Sequence, residues 1–392
     1  MSVALDLPGL TPDEAAHSAR LGEHIRAAVE RDGGWIGFAR YMRMALYEPG
    51  LGYYSAGAHK FGATGDFVTA PEVAPVFSRC LAVQCAEILG GLGGGDVLEL
   101  GAGSGVMAAA MLEELARRDT LPGRYRILDV SADLRQRQQA TLERSVPGLL
   151  DRVEWIDRLP EDFEGVIVGN EVIDALPVER FAMRGGEVNA LGVTWQFGRF
   201  EWSEVRGTDP LVEAVRHVQR ESGADWPDGY VSEVNLELAP WIAALAQSLR
   251  RGVMLFVDYG LSRREYYAPA RSDGTLLCHF RHRFHGDPFA RPGLQDITAW
   301  VDFTAVAEAG EAAGLDLLGY TSQAHFLIGS GLGDFVANVA DLDVVQRVNL
   351  SRQAMVLTLP GEMGERFKAI ALARGYDSPL RGFAVRELRH ML

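Results

Sequence analysis

The sequence predicts an α/β fold built around one strand, one glycine turn and one helix. Asp96 to Leu100 is a short apolar run of the kind that forms a strand buried in a parallel sheet. Gly101, Gly103 and Gly105 follow at once, and alternate glycines let the backbone bend tightly with no Cβ in the way. Val106 to Arg118 then sets Ala108, Met111, Leu112 and Leu115 at helical spacing, so the turn opens a helix.

Bulk composition bounds the rest. At 392 residues the chain can form one large α/β domain with insertions, or two domains. Its 47% hydrophobic and 23% charged content is that of a globular protein. A formal charge of −15 argues against a nucleic-acid partner, because phosphate contacts need clustered Lys and Arg. Three cysteines, Cys80, Cys85 and Cys278, exclude a disulfide framework, include no C-x-x-C pair and suit a reducing compartment. Asp6, Asp13 and Glu14, with no basic region before an apolar stretch, do not read as a secretory or transit signal. No apolar run approaches the roughly 20 residues of a membrane span. The expectation is a cytoplasmic protein with no membrane segment.

Taken in order, Thr11 before Pro12, Asp13 and Glu14 caps a helix that Gly33-Gly34 stops. A second helix is expected over Trp35–Leu46. Residues 53–69 are rich in glycine and aromatics without a period, as functional loops often are. Pro71–Leu89 reads as a helix before the first strand. Further strands are expected at Tyr125–Val130, Val153–Ile156, Gly165–Gly169 and Val253–Val257. Between the last two, residues 181–208 alternate and carry turn signals at Gly185-Gly186 and Gly198, so an antiparallel β insertion is predicted. Helices are expected at Pro210–Arg220, Leu238–Arg251 and Phe303–Ala313, and final strands at Leu315–Tyr320 and His325–Ile328. The C-terminal part, Phe335–Gly375, reads as helical with a break at Leu359-Pro360-Gly361. Four segments follow: a helical extension and loop (1–70), the first part of the core (71–180), an inserted lid that could form a dimer face (181–235), and the rest (236–392).

A strand, a glycine turn and a helix N-terminus together make a nucleotide-cofactor site, where backbone donors and a positive dipole end converge. The register Glu99-x-Gly101-x-Gly103-x-Gly105 is the first motif of S-adenosyl-L-methionine (SAM) methyltransferases, with Glu99 facing the ligand's amino-acid part. A dinucleotide reading, Gly103-x-Gly105-x-x-Ala108, begins two residues late. Asp129, at the end of the second strand, is placed for ribose hydroxyls, with helix capping at Ser131 as its competing role. Asp157 could reach an adenine amino group. Asn170, Glu171 and Asp174, just after the fourth strand, lie over the crevice where chemistry occurs. His279, His282 and His285 recur at every third position, but Arg281 and Arg283 between them argue against a metal. An anion-gripping loop and plain structure stay open there, and no metal is expected.

With these pieces the chain resembles the MidA-like family of class I methyltransferases over nearly its whole length. The blocks that carry it include Gly52-Tyr53-Tyr54, Gly65-Asp66-Phe67-x-Thr69-Ala70-Pro71-Glu72, and Glu99 to Gly105. They continue with Asn170-Glu171-x-x-Asp174-Ala175-Leu176-Pro177, Asp258-Tyr259-Gly260, Gly293-x-x-Asp296-Ile297-Thr298 and Glu362 to Lys368. Ser78 and Trp300 depart from the family pattern, away from the presumed cofactor site. The resemblance implies a Rossmann-like, seven-stranded, mostly parallel sheet with a helical N-terminal extension and an inserted substrate region. It implies SAM as cofactor and, from eukaryotic members that assemble mitochondrial complex I, symmetric dimethylation of an arginine on a complex I subunit.

The acceptor decides which side chains matter. A guanidinium, with a pKa above about 12, needs carboxylates to orient it and favour loss of one proton. Glu171 and Asp174 are the candidates, with Asp66 as a third. For a small-molecule carboxylate those acids would repel, and Arg281, His282 and Arg283 would matter instead. Tyr54 and Phe67 complete the expected substrate contacts. A non-catalytic SAM-binding assembly factor and an NAD oxidoreductase are the other readings.

Overall fold

The computed structural model describes residues 7–56, 70–129, 131–337 and 343–392. They group into two compact units, each assembled from separated stretches of chain. The first holds residues 69–173, 239–262 and 301–392, and the second residues 1–68, 174–238 and 263–300. The four segments expected from the sequence are contiguous, whereas the units are not. Chain proximity alone could not show that residues 263–300 fold with the N-terminal helices.

Seven strands form the main sheet of the first unit: β1 (Asp96–Leu100), β2 (Tyr125–Leu128), β3 (Val153–Ile156), β4 (Phe163–Asn170), β5 (Leu249–Leu261), β6 (Asp316–Ser322) and β7 (Phe367–Arg374). Their spatial order is β3-β2-β1-β4-β5-β7-β6. The pairs β3–β2, β2–β1, β1–β4 and β4–β5 are parallel, while β7 runs antiparallel to both β5 and β6. The two-residue strand Val301–Asp302 adds parallel to the end of β5. This is the Rossmann-like class I order. Val166–Val168 and Val253–Phe256 are almost completely buried, as central parallel strands require. The order reverses between β1 and β4, so a crevice opens at their carboxyl ends, where the glycine turn and Asn170 emerge.

Several expected elements change. The N-terminal helix is Pro12–Arg31, with Thr11 and Glu14 forming a capping box. Ile36–Gly37, expected to be helical, pairs instead with Val193 and Gly192, and the helix begins at Phe38 and ends at Tyr47. The helix expected at Pro71–Leu89 is two, Ala70–Val73 and Pro75–Leu92, split where Ala74 is extended (φ −151, ψ 108). The helix from Leu238 stops at Ser248, and Leu249, Arg250 and Arg251 already belong to β5. His325–Ile328 is not a strand: Ser322 caps a helix over Gln323–Gly329. Phe367–Arg374, expected to be helical, is β7, buried on both faces so that its apolar run has no period to read.

In the second unit, the strands Ile36–Gly37, Glu187–Gln196, Glu179–Arg184 and Val231–Val234 lie side by side, with Arg199–Arg206 paired to Glu187–Gln196. The predicted antiparallel insertion accounts for the three strands from Glu179 to Arg206, and Ile36–Gly37 and Val231–Val234 join it from outside that range. Leu21, Ile25, Phe38, Tyr41, Val193 and Phe200 share its core. Among the described residues no helix is long and apolar enough to cross a membrane. Cys80, Cys85 and Cys278 are free and buried, and burial raises each thiol, Cys80 to about 12. None of the three should react with a disulfide reagent until the protein unfolds, when all should titrate together.

Candidate functional site

The site in the first unit begins with the glycine turn. Gly101, Gly103 and Gly105 have φ of +64°, +52° and +83°, a region in which side chains are strained. A Cβ on Gly105 would lie 2.9 Å from the Gln138 Cα, and one on Gly101 would lie 3.1 Å from Val172 Cγ1. The outer glycines therefore admit the chain's own neighbours. A Cβ on Gly103 meets nothing within 4 Å among the described residues. Gly105 leads directly into the helix Val106–Arg117, whose first N–H groups and dipole end face the turn.

Glu99, two residues before the turn, is fully buried. The Tyr125 hydroxyl donates to its Oε2 at 2.6 Å, while Oε1 has no hydrogen-bond partner among the described residues. Burial, opposed by the Tyr125 bond and aided by the charge of Asp129, pushes its carboxyl up to about 7. The folded state thus keeps a proton that the unfolded chain, with a pKa near ~4.3, has released. Stability from this group is full below about pH 4.3, falls as pH rises towards 7, and stays low above that. Glu99→Gln, which keeps an acceptor for Tyr125, should exceed the parent by about 3 kcal/mol at pH 8 and match it near pH 4. Melting temperatures of the two proteins across that range check it.

Asp129, at the end of β2, is mostly buried, and its Oδ1 accepts the Ser131 N–H at 3.0 Å. Ser131 itself caps the helix Ala132–Ser145 through Leu134 N, so the capping role falls to the serine. Gln138, on that helix, donates to Asp129 Oδ2 at 2.8 Å and to the Gly103 carbonyl at 3.1 Å. Asp157 is exposed and accepts from Arg135 at 2.6 Å. Arg135 also donates to the carbonyls of Asp129 and Ile156, strapping the ends of β2 and β3 together.

Across the crevice β4 ends in Asn170, whose amide donates to Glu171 Oε1 at 3.0 Å and whose Oδ1 is buried without a partner among the described residues. Glu171 holds a left-handed backbone (φ +53°), and its Oε1 lies 3.4 Å from the Ala70 N–H. That conformation is strained for a side-chain-bearing residue. Asp258, fully buried near the end of β5, holds it: Oδ2 accepts from Val172 and Ile173 N–H, and Oδ1 from Tyr259 N–H. Asp258→Ala should leave these donors unpaired and cost about 2–4 kcal/mol, readable as a lower melting temperature.

Asp174 belongs to the second unit. It is nearly buried, and its carbonyl accepts from Ala299 N. There Tyr54 donates to Asp296 Oδ1 at 2.9 Å and stacks on Tyr47, 5.5 Å between ring centres. Burial, then the charges of Asp296 and Asp174, raises both tyrosine hydroxyls. Arg281 and His282 form the two-residue turn (φ +48° and +60°) of a hairpin made by Leu277–Phe280 and Arg283–His285. Arg281 is tied to Glu14 and to the Gly9 carbonyl, and His282 is exposed. The geometry gives Arg281 a structural partner, not an anion to grip. His279 is half-buried and held neutral, its pKa down to about 4 through burial and then His285. Asp66 and Phe67 lie outside the described residues. Sequence reasoning missed Gln138, Arg135 and Tyr125, which act across the fold and carry no local signal.

Residues 80–321 match the model of a family described as S-adenosyl-L-methionine-dependent methyltransferase. The chain is 26% identical to the Drosophila melanogaster protein arginine methyltransferase NDUFAF7 homolog, mitochondrial, over 92% of this chain and 86% of that one. It is 28% identical to the Danio rerio protein arginine methyltransferase NDUFAF7, mitochondrial, over 86% and 82% of the two chains. A Burkholderia thailandensis protein crystallised bound to S-adenosyl-homocysteine is 44% identical, with a TM-score of 0.94, over 99% of this chain and 100% of that one.

Proposed function

The chain belongs to the S-adenosyl-L-methionine-dependent methyltransferases, and we propose that its acceptor is an arginine side chain of a protein. The residues of the first unit suit the cofactor. Among the described residues Glu99 Oε1 and Asn170 Oδ1 are buried acceptor oxygens with no partner, as suits an ammonium-bearing ligand, and Gly103 leaves the turn open. Asp129 would hold ribose hydroxyls and the helix at Val106 would face negative charge. When bound, the cofactor supplies a methyl group activated on a sulfonium. The chain's own contribution is to orient the acceptor and exclude water, effects worth up to ~7–11 kcal/mol in well-oriented systems.

The observation that carries the acceptor reading is Glu171, a carboxylate set at the switch point by a strained turn that Asp258 anchors. A carboxylate held there can orient a guanidinium and accept the proton that its nitrogen gives up on methylation. The names of the relatives support the same acceptor. The reading as a carboxylate O-methyltransferase relied on Arg281, His282 and Arg283, and Glu14 already engages the first of them.

The test is transfer of labelled methyl from SAM into a protein lysate. Label recovered as methylarginine after acid hydrolysis supports the proposal. Label released as methanol by mild base selects carboxylate esters and overturns it. Cytoplasmic placement, and self-association through the inserted region, belong to this proposal too; sedimentation at two concentrations checks the second.

A further inference from the structure

We infer that Gln138 is a positioning residue for the cofactor's ribose, acting through Asp129. Its side chain is fully buried, and all of its polar atoms are engaged. The Trp155 indole N–H, which can only donate, reaches Gln138 Oε1 at 3.0 Å. That settles which way the amide faces: its oxygen points to Trp155 and its NH2 group to the crevice. The two N–H donors then go to Asp129 Oδ2 and to the Gly103 carbonyl.

One side chain therefore links the strand-end acid to the middle of the glycine turn, with its third contact on β3. The Ser131 N–H holds the other oxygen of Asp129. Between them the two donors fix the carboxylate plane, and so the direction in which it can accept from a sugar hydroxyl. The same helix packs its Gln138 backbone against Gly105, so the turn and the acid move as one body. A geometry of this kind matters for affinity because ordering is done before the ligand arrives.

The inference rests on the reading of Asp129 as the ribose acid. It is tested by calorimetric titration of the full chain with S-adenosylhomocysteine and with its 2′-deoxyribose analogue. In the parent, the analogue should bind about tenfold more weakly. In Gln138→Met, which keeps length and packing but not the donors, S-adenosylhomocysteine should weaken about 10–30-fold, and the penalty for the missing hydroxyl should shrink below about threefold. Trp155→Phe releases the amide oxygen and should show a smaller change of the same kind, which covers the case in which Gln138→Met fails to fold.

Loss of affinity that multiplies independently with deoxygenation overturns the inference, because a merely structural role weakens both ligands alike. A parent that binds S-adenosylhomocysteine but ignores deoxygenation overturns the ribose assignment of Asp129 and this inference with it. A parent that binds neither overturns the methyltransferase site itself.

Discussion

Gly103→Val should bind S-adenosylhomocysteine at least ~100-fold more weakly than the parent, a loss of about 2.7 kcal/mol or more, while remaining folded. The two halves of that expectation come from different observations. At φ +52° a valine is strained, at a cost of roughly 1–2 kcal/mol, which a chain of this size should survive with a melting point a few degrees lower. No described protein atom lies within 4 Å of the new Cβ, so the fold itself raises little steric objection. The objection comes from a ligand that must approach the backbone. Gly105→Val is the contrasting protein, since its Cβ would press on the Gln138 backbone at 2.9 Å, and it should lose stability and binding together. Calorimetric titration beside thermal melting separates the two. NADH, titrated in parallel, should bind neither variant nor parent. Binding by Gly103→Val within threefold of the parent would remove the turn from the cofactor site.

How much of this was legible in the sequence follows the range of the interactions. Asp96–Leu100 and the helix start at Val106 are where the sequence puts them, because a short apolar run and alternate glycines are local signals. The capping box at Thr11 is equally local. Errors gather where the apolar run is continuous. In β7 five consecutive residues, Ala369 to Ala373, are fully buried, so neither a period of 2 nor one of 3.6 can appear, and alanine and leucine suit a helix. The same ambiguity hid the change from helix to strand at Leu249, where Arg250 and Arg251 imitate the basic last turn of a helix.

The site divides in the same way. Glu99, Asp129 and Asn170 sit at strand ends, and strand ends are predictable once the strands are found. Asp157 also follows a strand end, but its pairing with Arg135 is a tertiary contact that spacing does not show. Gln138 lies in a polar helix, where a glutamine carries no sign that it is fully buried. Its role depends on a helix packing against a turn thirty-odd residues earlier. Asp258 could be read as the end of a strand, but not as the cap of a loop that left β4 more than eighty residues before. Tertiary hydrogen bonds of this kind leave no trace in spacing.

Glu171→Gln should lower methyl transfer to the acceptor by roughly 10–150-fold in kcat/KM and leave S-adenosylhomocysteine affinity within about threefold of the parent. The magnitude is that of one hydrogen bond to a charged group, about 1.5–3 kcal/mol. Glutamine keeps an amide oxygen that can accept from the Asn170 amide and the Ala70 N–H, and it carries the same backbone cost at φ +53°. The change therefore removes charge with little loss of shape. Charge is what a guanidinium acceptor needs, because its proton must be lost from a group with a pKa above about 12. An acceptor that is itself a carboxylate would respond in the opposite direction, since removing Glu171's charge would relieve a repulsion and turnover would rise. Unchanged turnover would take Glu171 out of acceptor chemistry. An equal fall in S-adenosylhomocysteine affinity and in turnover would move it to the cofactor's side of the crevice. Only a fall in turnover at constant affinity fits a carboxylate that meets the acceptor.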